Sequence, residues 1–188
     1  MKIAILGGTF NPIHLGHLIL AEEIREKLTL DKVIFVPTYL PPHKNNMDIA
    51  EAIHRFEMVK LAIKTNKYFS ASDTEIKRDG RSYTIDTIKE FKKLYANDEL
   101  YFVIGSDLLK YLDEWKDLGE IIKMVRFIVA TRPGYPLEQI PSYISTVPIR
   151  AVDISGFEIR NAVKQERSIR YLVPEAVFEY INKERLYR

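Results

Sequence analysis

The sequence predicts an α/β fold, in which helices flank a mostly parallel sheet and a small helical part lies at the C-terminal end. Short apolar runs alternate with amphipathic stretches along the chain. The first two runs, 2–6 and 33–36, enclose one helical stretch, which is the pattern of a right-handed βαβ unit. The 188 residues contain no repeat and no long linker, so we expect one domain over residues 1–188.

The predicted strands are the short apolar runs 2–6, 33–36, 100–104 and 127–130, together with a possible short strand at 69–71 and the strand-like stretch 149–154. The predicted helices have apolar residues at helical spacing and cover 15–28, 51–64, 82–87 continuing to 95, 108–115, 118–124, and stretches starting near 155 and 174. The charged segment 73–81 is expected to be solvated. Ligands of parallel sheets bind beyond the carboxyl ends of strands, so the loops there are the candidate site.

Composition excludes several function classes. Lys and Arg number 28 and Asp and Glu 26, a net charge of +2 that argues against a nucleic-acid partner. The hydrophobic fraction of 46% excludes a disordered chain, and the absence of cysteine excludes disulfides, a thiol nucleophile and thiolate metal ligands. The opening apolar run is too short for a signal peptide, and no stretch approaches the length of a membrane span. We therefore expect a cytoplasmic protein with no membrane partner.

The strongest motif is the segment 7–17, Gly-Gly-Thr-Phe-Asn-Pro-Ile-His-Leu-Gly-His, between the first strand and the first helix. Its two leading glycines let the backbone approach a ligand, and a helix start attracts anions. His14 and His17 are three residues apart, which places them on one face of the first helical turn. Imidazoles at that place can donate to phosphate oxygens and stabilise charge that grows during group transfer. Half of a metal site is one alternative, although no third ligand is evident, and two unrelated surface histidines are the other.

This segment resembles the signature of the HxGH nucleotidylyltransferase superfamily, whose members join the α-phosphate of ATP to a phosphorylated acceptor and release pyrophosphate. More narrowly, the chain resembles the nicotinate-mononucleotide adenylyltransferases of bacteria, over residues 1–187. The other stretches that carry the resemblance are 41–44, 54–55, 82–87, 105–107, Trp115, 132–134 and 154–160. The resemblance implies a Rossmann-like fold.

The resemblance also implies the residues of the nucleotide site. The catalytic residues would be His14, His17, Lys44 and Arg160, which contact the triphosphate and the leaving pyrophosphate. The residues that line the ATP site would be these two histidines and Arg160 together with Gly7, Gly8, Thr9, Phe10, Gly105, Asp107, Ile154 and Ser155. Mg²⁺ would arrive with ATP rather than in a dedicated protein site. Gly156 and Phe157 stand where the family usually has Ser and Thr.

The nicotinate half of the site would use Tyr83, Thr84, Trp115 and Arg132. Trp115 offers a flat apolar partner for a pyridine ring, and Thr84 offers a hydroxyl and an amide to a carboxylate. Core packing for Trp115 and a helix cap for Thr84 are the alternatives. Lys116 replaces the Tyr that the family often has after this Trp. A cation there would favour an acid over an amide on the pyridine ring.

The expected reaction joins the AMP part of ATP to nicotinate mononucleotide, which gives nicotinic acid adenine dinucleotide and pyrophosphate in NAD biosynthesis. One alternative is the same chemistry on nicotinamide mononucleotide or phosphopantetheine. Another is an inactive nucleotide-binding regulatory domain, because two hydroxyls of the family pattern are missing after Ser155. His54 and Arg55, early in the predicted helix 51–64, are interpreted as structural.

Overall fold

Six parallel strands form one sheet in the computed structural model, which describes residues 1–40, 49–131, 140–150 and 152–188, without the side chain of Asp107. The strand order is β3-β2-β1-β4-β5-β6. In chain order the strands are β1 (Lys2–Gly8), β2 (Lys32–Pro37), β3 (Phe69–Ala71), β4 (Glu99–Gly105), β5 (Arg126–Thr131) and β6 (Ile144–Pro148). The predicted α/β fold is confirmed, and every described pair of strands is parallel.

Helices cover both faces of the sheet. They are α1 (Leu15–Lys27), α2 (Ala52–Ile63), α3 (Thr74–Arg78), α4 (Thr84–Leu94), α5 (Leu118–Met124), α6 (Gly156–Lys164) and α7 (Glu175–Lys183). A 3₁₀ helix, Ser106–Glu114, follows β4 where the sequence predicted a short helix over 108–115. In the described parts of the chain, no helix is both long enough and apolar enough to cross a membrane.

The sheet separates two hydrophobic layers. Ala4 and Leu6 of β1 face the layer that includes side chains of α1, α2, α6 and α7, whereas Ile3 and Ile5 face the layer of α4 and α5. Because both faces of the sheet are covered, the central strands are apolar at nearly every position. This double coverage explains why β1 and β4 read as continuous apolar runs.

The chain reverses its direction of sheet growth between β1 and β4. From β1 it adds β2 and β3 on one side, and then returns to add β4, β5 and β6 on the other. The register pairs Leu6 with Val103 near the carboxyl ends of these two strands, which end at Gly8 and Gly105. Such a reversal opens a crevice outside the carboxyl ends of the two strands, which is where α/β proteins bind ligands.

The last strand differs from the prediction. The described residues of the strand-like stretch 149–154, which are 149–150 and 152–154, form no strand, and β6 lies one segment earlier, at Ile144–Pro148. Among the described strands β6 pairs only with β5, at the edge of the sheet, and an edge strand tolerates a proline at its end. Ile149 and Ile154 are each buried, and they pack the segment that leads to α6 against the core.

The charged segment 73–81 is also more structured than predicted. It forms α3, and its Glu75 carboxylate is buried and accepts a hydrogen bond of 2.6 Å from the Thr87 hydroxyl. Burial raises the pKa of Glu75, and hydrogen bonds from Ser82 and Thr87 oppose that rise. The charges of this segment therefore help to fix the start of α4.

The N-terminus of α6 packs directly on the loop between β1 and α1. A Cβ atom added to Gly156 would lie 2.9 Å from the backbone oxygen of Asn11. That separation is shorter than a van der Waals contact, so only glycine allows this approach without a shift of backbone. Gly119 in α5, by contrast, has open space where a Cβ would stand.

We expect Gly156→Ala to lower the free energy of unfolding by ~1–2 kcal/mol, because α6 or the Asn11 loop must move. The matched control is Gly119→Ala, which should raise it by ~0.5–1 kcal/mol through better helix propensity. Urea unfolding of the three proteins measures both changes. Equal stabilisation by the two substitutions would contradict the close packing of α6 on Asn11.

Candidate functional site

The segment between β1 and α1 is held in one conformation by packing and backbone hydrogen bonds. Phe10 is buried with a φ of 46°, in the left-handed region, and a Cβ on Gly8 would meet its ring at 3.0 Å. The amide of Thr38 donates to the Gly8 carbonyl at 2.9 Å. The Asn11–Pro12 peptide bond is cis. Gly8, one of the two glycines predicted to approach a ligand, is therefore held in place by Phe10 and Thr38.

His14 and His17 lie together at the start of α1, as their spacing predicted. His14 is the N-cap and is only 5% exposed, and its ring centroid is 3.7 Å from that of His17. The amide of His14 donates to Nδ1 of His17 at 3.2 Å. In a neutral imidazole the other nitrogen then carries the proton, so Nε2 of His17 is a hydrogen-bond donor. The edge of Phe10 contacts the same ring, with centroids 5.1 Å apart.

Arg55 ties this loop to the rest of the site. Its side chain is 1% exposed and donates to the carbonyls of Ala50 at 2.8 Å, Thr9 at 2.8 Å and Tyr39 at 2.9 Å. Burial lowers the pKa of Arg55 to about 10, so the guanidinium stays charged at neutral pH. These contacts agree with the structural interpretation of Arg55. Its neighbour His54 contacts α7 instead, through Nδ1 and the Tyr180 hydroxyl at 2.9 Å.

The start of α6 brings Ser155 and Arg160 to the same loop. Ser155 is the N-cap, and its Oγ accepts from the amide of Glu158 at 3.1 Å. Nη1 of Arg160 donates to the Asn11 carbonyl at 2.9 Å. Phe157 is 61% exposed, and the Arg160 guanidinium lies 5.9 Å from the centre of its ring. The start of α6 thus faces the segment between β1 and α1, residues 9–14, which we call the histidine loop.

Two residues join this site that sequence reasoning did not select. Asn11 lies inside the motif, and its Oδ1 accepts from the Ala50 amide at 3.1 Å and from the Tyr187 hydroxyl at 2.8 Å. Tyr187 is 176 residues away in sequence. No local pattern connects the two positions. The burial of Arg55, a residue interpreted as structural from the sequence, does have a local signal, because helical spacing places this residue on the same face as Met58 and Val59.

Three of the predicted nicotinate residues, Tyr83, Thr84 and Trp115, lie at or near the start of α4 and the end of the 3₁₀ helix. Tyr83 is the N-cap of α4, Thr84 is its first residue, and Nζ of Lys116 lies 4.8 Å from the centre of the Tyr83 ring. Trp115 packs against Phe102 with centroids 5.8 Å apart and is half-buried. One part of Trp115 is therefore core, and another part stays accessible beside Lys116.

A series of hydrogen bonds links the loop between β1 and α1 with the start of α4. Thr38 bonds to Gly8, and the next residue, Tyr39, donates its amide to Oγ of Ser82 at 2.8 Å. Ser82 in turn donates its amide to Leu40 and directly precedes Tyr83. The segment after β2 thus connects the histidine loop with the start of α4.

Some predicted site residues lie outside the described residues, namely Lys44 and Arg132. Gly105 ends β4 and is the N-cap of the 3₁₀ helix that contains Asp107. Ile154 is buried next to Ser155, and Gly7 lies near Phe102 of β4. Over the described part of the chain, no group of three or more His, Asp or Glu side chains could hold a metal ion.

Comparison with known proteins identifies the family. The family model described as Cytidylyltransferase-like matches residues 5–162. The nicotinate-nucleotide adenylyltransferase of Bacillus subtilis (strain 168) is 41% identical over 187 residues, which cover 99% of this chain and 98% of that protein. The "Probable nicotinate-nucleotide adenylyltransferase" of Thermus thermophilus is 43% identical over 188 residues and covers 100% of both chains.

Solved structures show the same fold. The nicotinic acid mononucleotide adenylyltransferase of Plasmodium falciparum, complexed with NaAD, matches with a TM-score of 0.83 at 23% identity, over 99% of this chain and 97% of that one. The same enzyme complexed with APC matches with a TM-score of 0.80 at 22% identity, over 99% and 96%. These likenesses support the Rossmann-like α/β arrangement, and the sequence relatives decide the family. The chain therefore belongs to the Cytidylyltransferase-like family and, within it, to the nicotinate-nucleotide adenylyltransferases.

Proposed function

We propose that this chain transfers the adenylyl group of ATP to nicotinate mononucleotide. The observation that carries the proposal is the pair of imidazoles 3.7 Å apart at the start of α1, beside the crevice between β1 and β4. Family membership supplies the reaction class, since the B. subtilis relative is a nicotinate-nucleotide adenylyltransferase. The use of ATP favours the cytoplasmic location expected from the sequence, and residues 1–188 are taken to act as one domain.

The reaction needs positioning and charge stabilisation more than covalent chemistry from the protein. A phosphate oxygen of nicotinate mononucleotide forms a bond with the α-phosphorus, the bond from that phosphorus to the bridging oxygen breaks, and pyrophosphate leaves. Nε2–H of His17 donates to a phosphate oxygen as its charge grows, and His14 contacts the triphosphate beside it. Arg160, and Lys44 from outside the described residues, neutralise the leaving pyrophosphate.

The rest of the ATP site consists of backbone and cap residues around the crevice. Glycines allow close approach of the nucleotide, and the amides at the start of α6 attract its phosphates. The residues assigned to it are Gly7, Gly8, Thr9, Phe10, Gly105, Asp107, Ile154 and Ser155. The Ser155 hydroxyl already caps α6, so we assign phosphate binding there chiefly to the amides.

Mg²⁺ fits this site as a companion of ATP. Its preferred ligands are phosphate oxygens and water, so it needs no cage of three protein ligands, and the described residues offer none. When bound, the ion neutralises charge on the phosphate oxygens. The histidines and Arg160 then orient the triphosphate from the protein side.

The nicotinate end of the site uses Tyr83, Thr84, Trp115 and Arg132, the last of which lies outside the described residues. The accessible part of Trp115 supplies a flat surface for the pyridine ring. The Lys116 ammonium, held 4.8 Å from the centre of the Tyr83 ring, adds positive charge where a carboxylate would bind. This end therefore favours an acid substituent over an amide.

The proposed function predicts pyrophosphate release from ATP with nicotinate mononucleotide as the acceptor. Parallel assays with nicotinamide mononucleotide and phosphopantetheine test the alternative acceptors, and all three should be run with Mg²⁺ present. We expect the highest kcat/KM with nicotinate mononucleotide. Preference for phosphopantetheine would contradict the assignment, and no turnover with any acceptor would favour an inactive nucleotide-binding domain.

His17→Ala should lower kcat by ~100–1,000-fold while the KM for ATP changes only a few-fold, because the imidazole stabilises charge that exists only in the transition state. The matched control is His54→Ala, which removes an imidazole that bonds to Tyr180 rather than the loop. Steady-state kinetics of both variants give the comparison. A rise in KM with unchanged kcat would mean that His17 only holds substrate.

Lys116→Met should reduce the preference for nicotinate over nicotinamide mononucleotide by about 10-fold, measured as the ratio of the two kcat/KM values. The reason is loss of a cation facing the acid substituent. Lys110→Met is the matched control, since Nζ of Lys110 lies at the same 4.8 Å from the Tyr111 ring on the 3₁₀ helix. An unchanged ratio for Lys116→Met would exclude Lys116 from acceptor choice.

A further inference from the structure

Tyr187 contacts the histidine loop from the far end of the chain. After α7 the backbone turns back, with the Leu186 amide donating to the Ile181 carbonyl at 3.0 Å and Tyr187 at a φ of 64°. The Tyr187 ring packs against the hydrophobic layer that includes α1 and α7. Its hydroxyl donates a hydrogen bond to Oδ1 of Asn11 at 2.8 Å.

The Asn11 side chain is fixed from two directions by unrelated parts of the fold. Its Oδ1 accepts from the Ala50 amide as well as from Tyr187, and its backbone oxygen accepts from Arg160. Asn11 lies three residues before His14. A shift of Asn11 would therefore reach the imidazoles through a short and tightly packed stretch of backbone.

The phenol is suited to donate at this place. Burial raises the pKa of Tyr187, against the opposing effect of the nearby Arg160 and Arg55 guanidiniums, so the hydroxyl keeps its proton at neutral pH. A protonated hydroxyl can donate to Asn11, whereas a phenolate could only accept. The ring alone is enough to pack against the hydrophobic layer, so the hydroxyl has a separate task.

We propose that Tyr187 is a positioning residue for adenylyl transfer, which acts through Asn11 to hold the β1–α1 loop so that His14 and His17 face the α-phosphate. The proposal rests on the proposed function. Tyr187 acts on the loop and need touch neither substrate. Its effect is expected on the rate of the chemical step and not on substrate affinity.

Tyr187→Phe tests the proposal because it keeps the ring and removes only the donor. We expect kcat to fall about 10-fold, since small misplacement of catalytic groups is costly, with the KM values for both substrates within about twofold of wild type. The matched control is Tyr180→Phe, which removes a hydroxyl hydrogen bond of 2.9 Å to His54 in α7. The control should keep kcat, and both variants should unfold within about 3 °C of each other.

A second comparison shows whether Asn11 transmits the effect. In an Asn11→Ala background, Tyr187→Phe should change kcat by less than about twofold, because the shared partner is already gone. An equal 10-fold loss in both backgrounds, or an unchanged kcat in Tyr187→Phe, would overturn the proposal. Absence of adenylyl transfer by the wild-type chain would instead overturn the proposed function, and the inference with it.

Discussion

The site depends first on the buried guanidinium of Arg55. A buried charge is tolerated only when its donors are satisfied, and here three carbonyls from three segments supply the acceptors. Those segments are the histidine loop, the segment after β2 and the start of α2. Each carbonyl is itself in need of a donor, so the dependence is mutual. One side chain thereby fixes the spacing between parts of the chain that must meet around two substrates.

In the loop between β1 and α1, the backbone and the histidine side chains have different partners. Its backbone oxygens at Thr9 and Asn11 face the guanidiniums of Arg55 and Arg160, while its imidazoles lie at the start of α1. Under the proposed function, this arrangement would let a chain with a net charge of +2 bind a triphosphate. Positive charge is gathered locally, whereas Lys and Glu elsewhere offset each other in exposed pairs such as Lys60 with Glu57.

Local sequence was sufficient for most strands and for the histidine pair, because apolar runs and a three-residue spacing are local signals. It was insufficient for β6, whose burial alternates weakly at an edge and whose last residue is Pro148. It was also insufficient for the bond between Asn11 and Tyr187, since only the folded chain brings residues 176 apart together. The burial of Glu75 is not predictable locally for a similar reason, because segment 73–81 is rich in charge and the hydroxyl that bonds to the carboxylate belongs to Thr87 on the next helix.

The central position of β1 has a consequence for synthesis on the ribosome. Ile5 pairs with Ile34 on one side but with Phe102 on the other, so the first strand to emerge must wait for about half of the chain before its second neighbour exists. The loop between β1 and α1 gains two of its contacts later still, because Arg160 and Tyr187 follow β4 in the sequence. A nascent chain can thus complete much of its sheet while the loop proposed to be catalytic lacks these two contacts, and nucleotide binding should follow sheet formation.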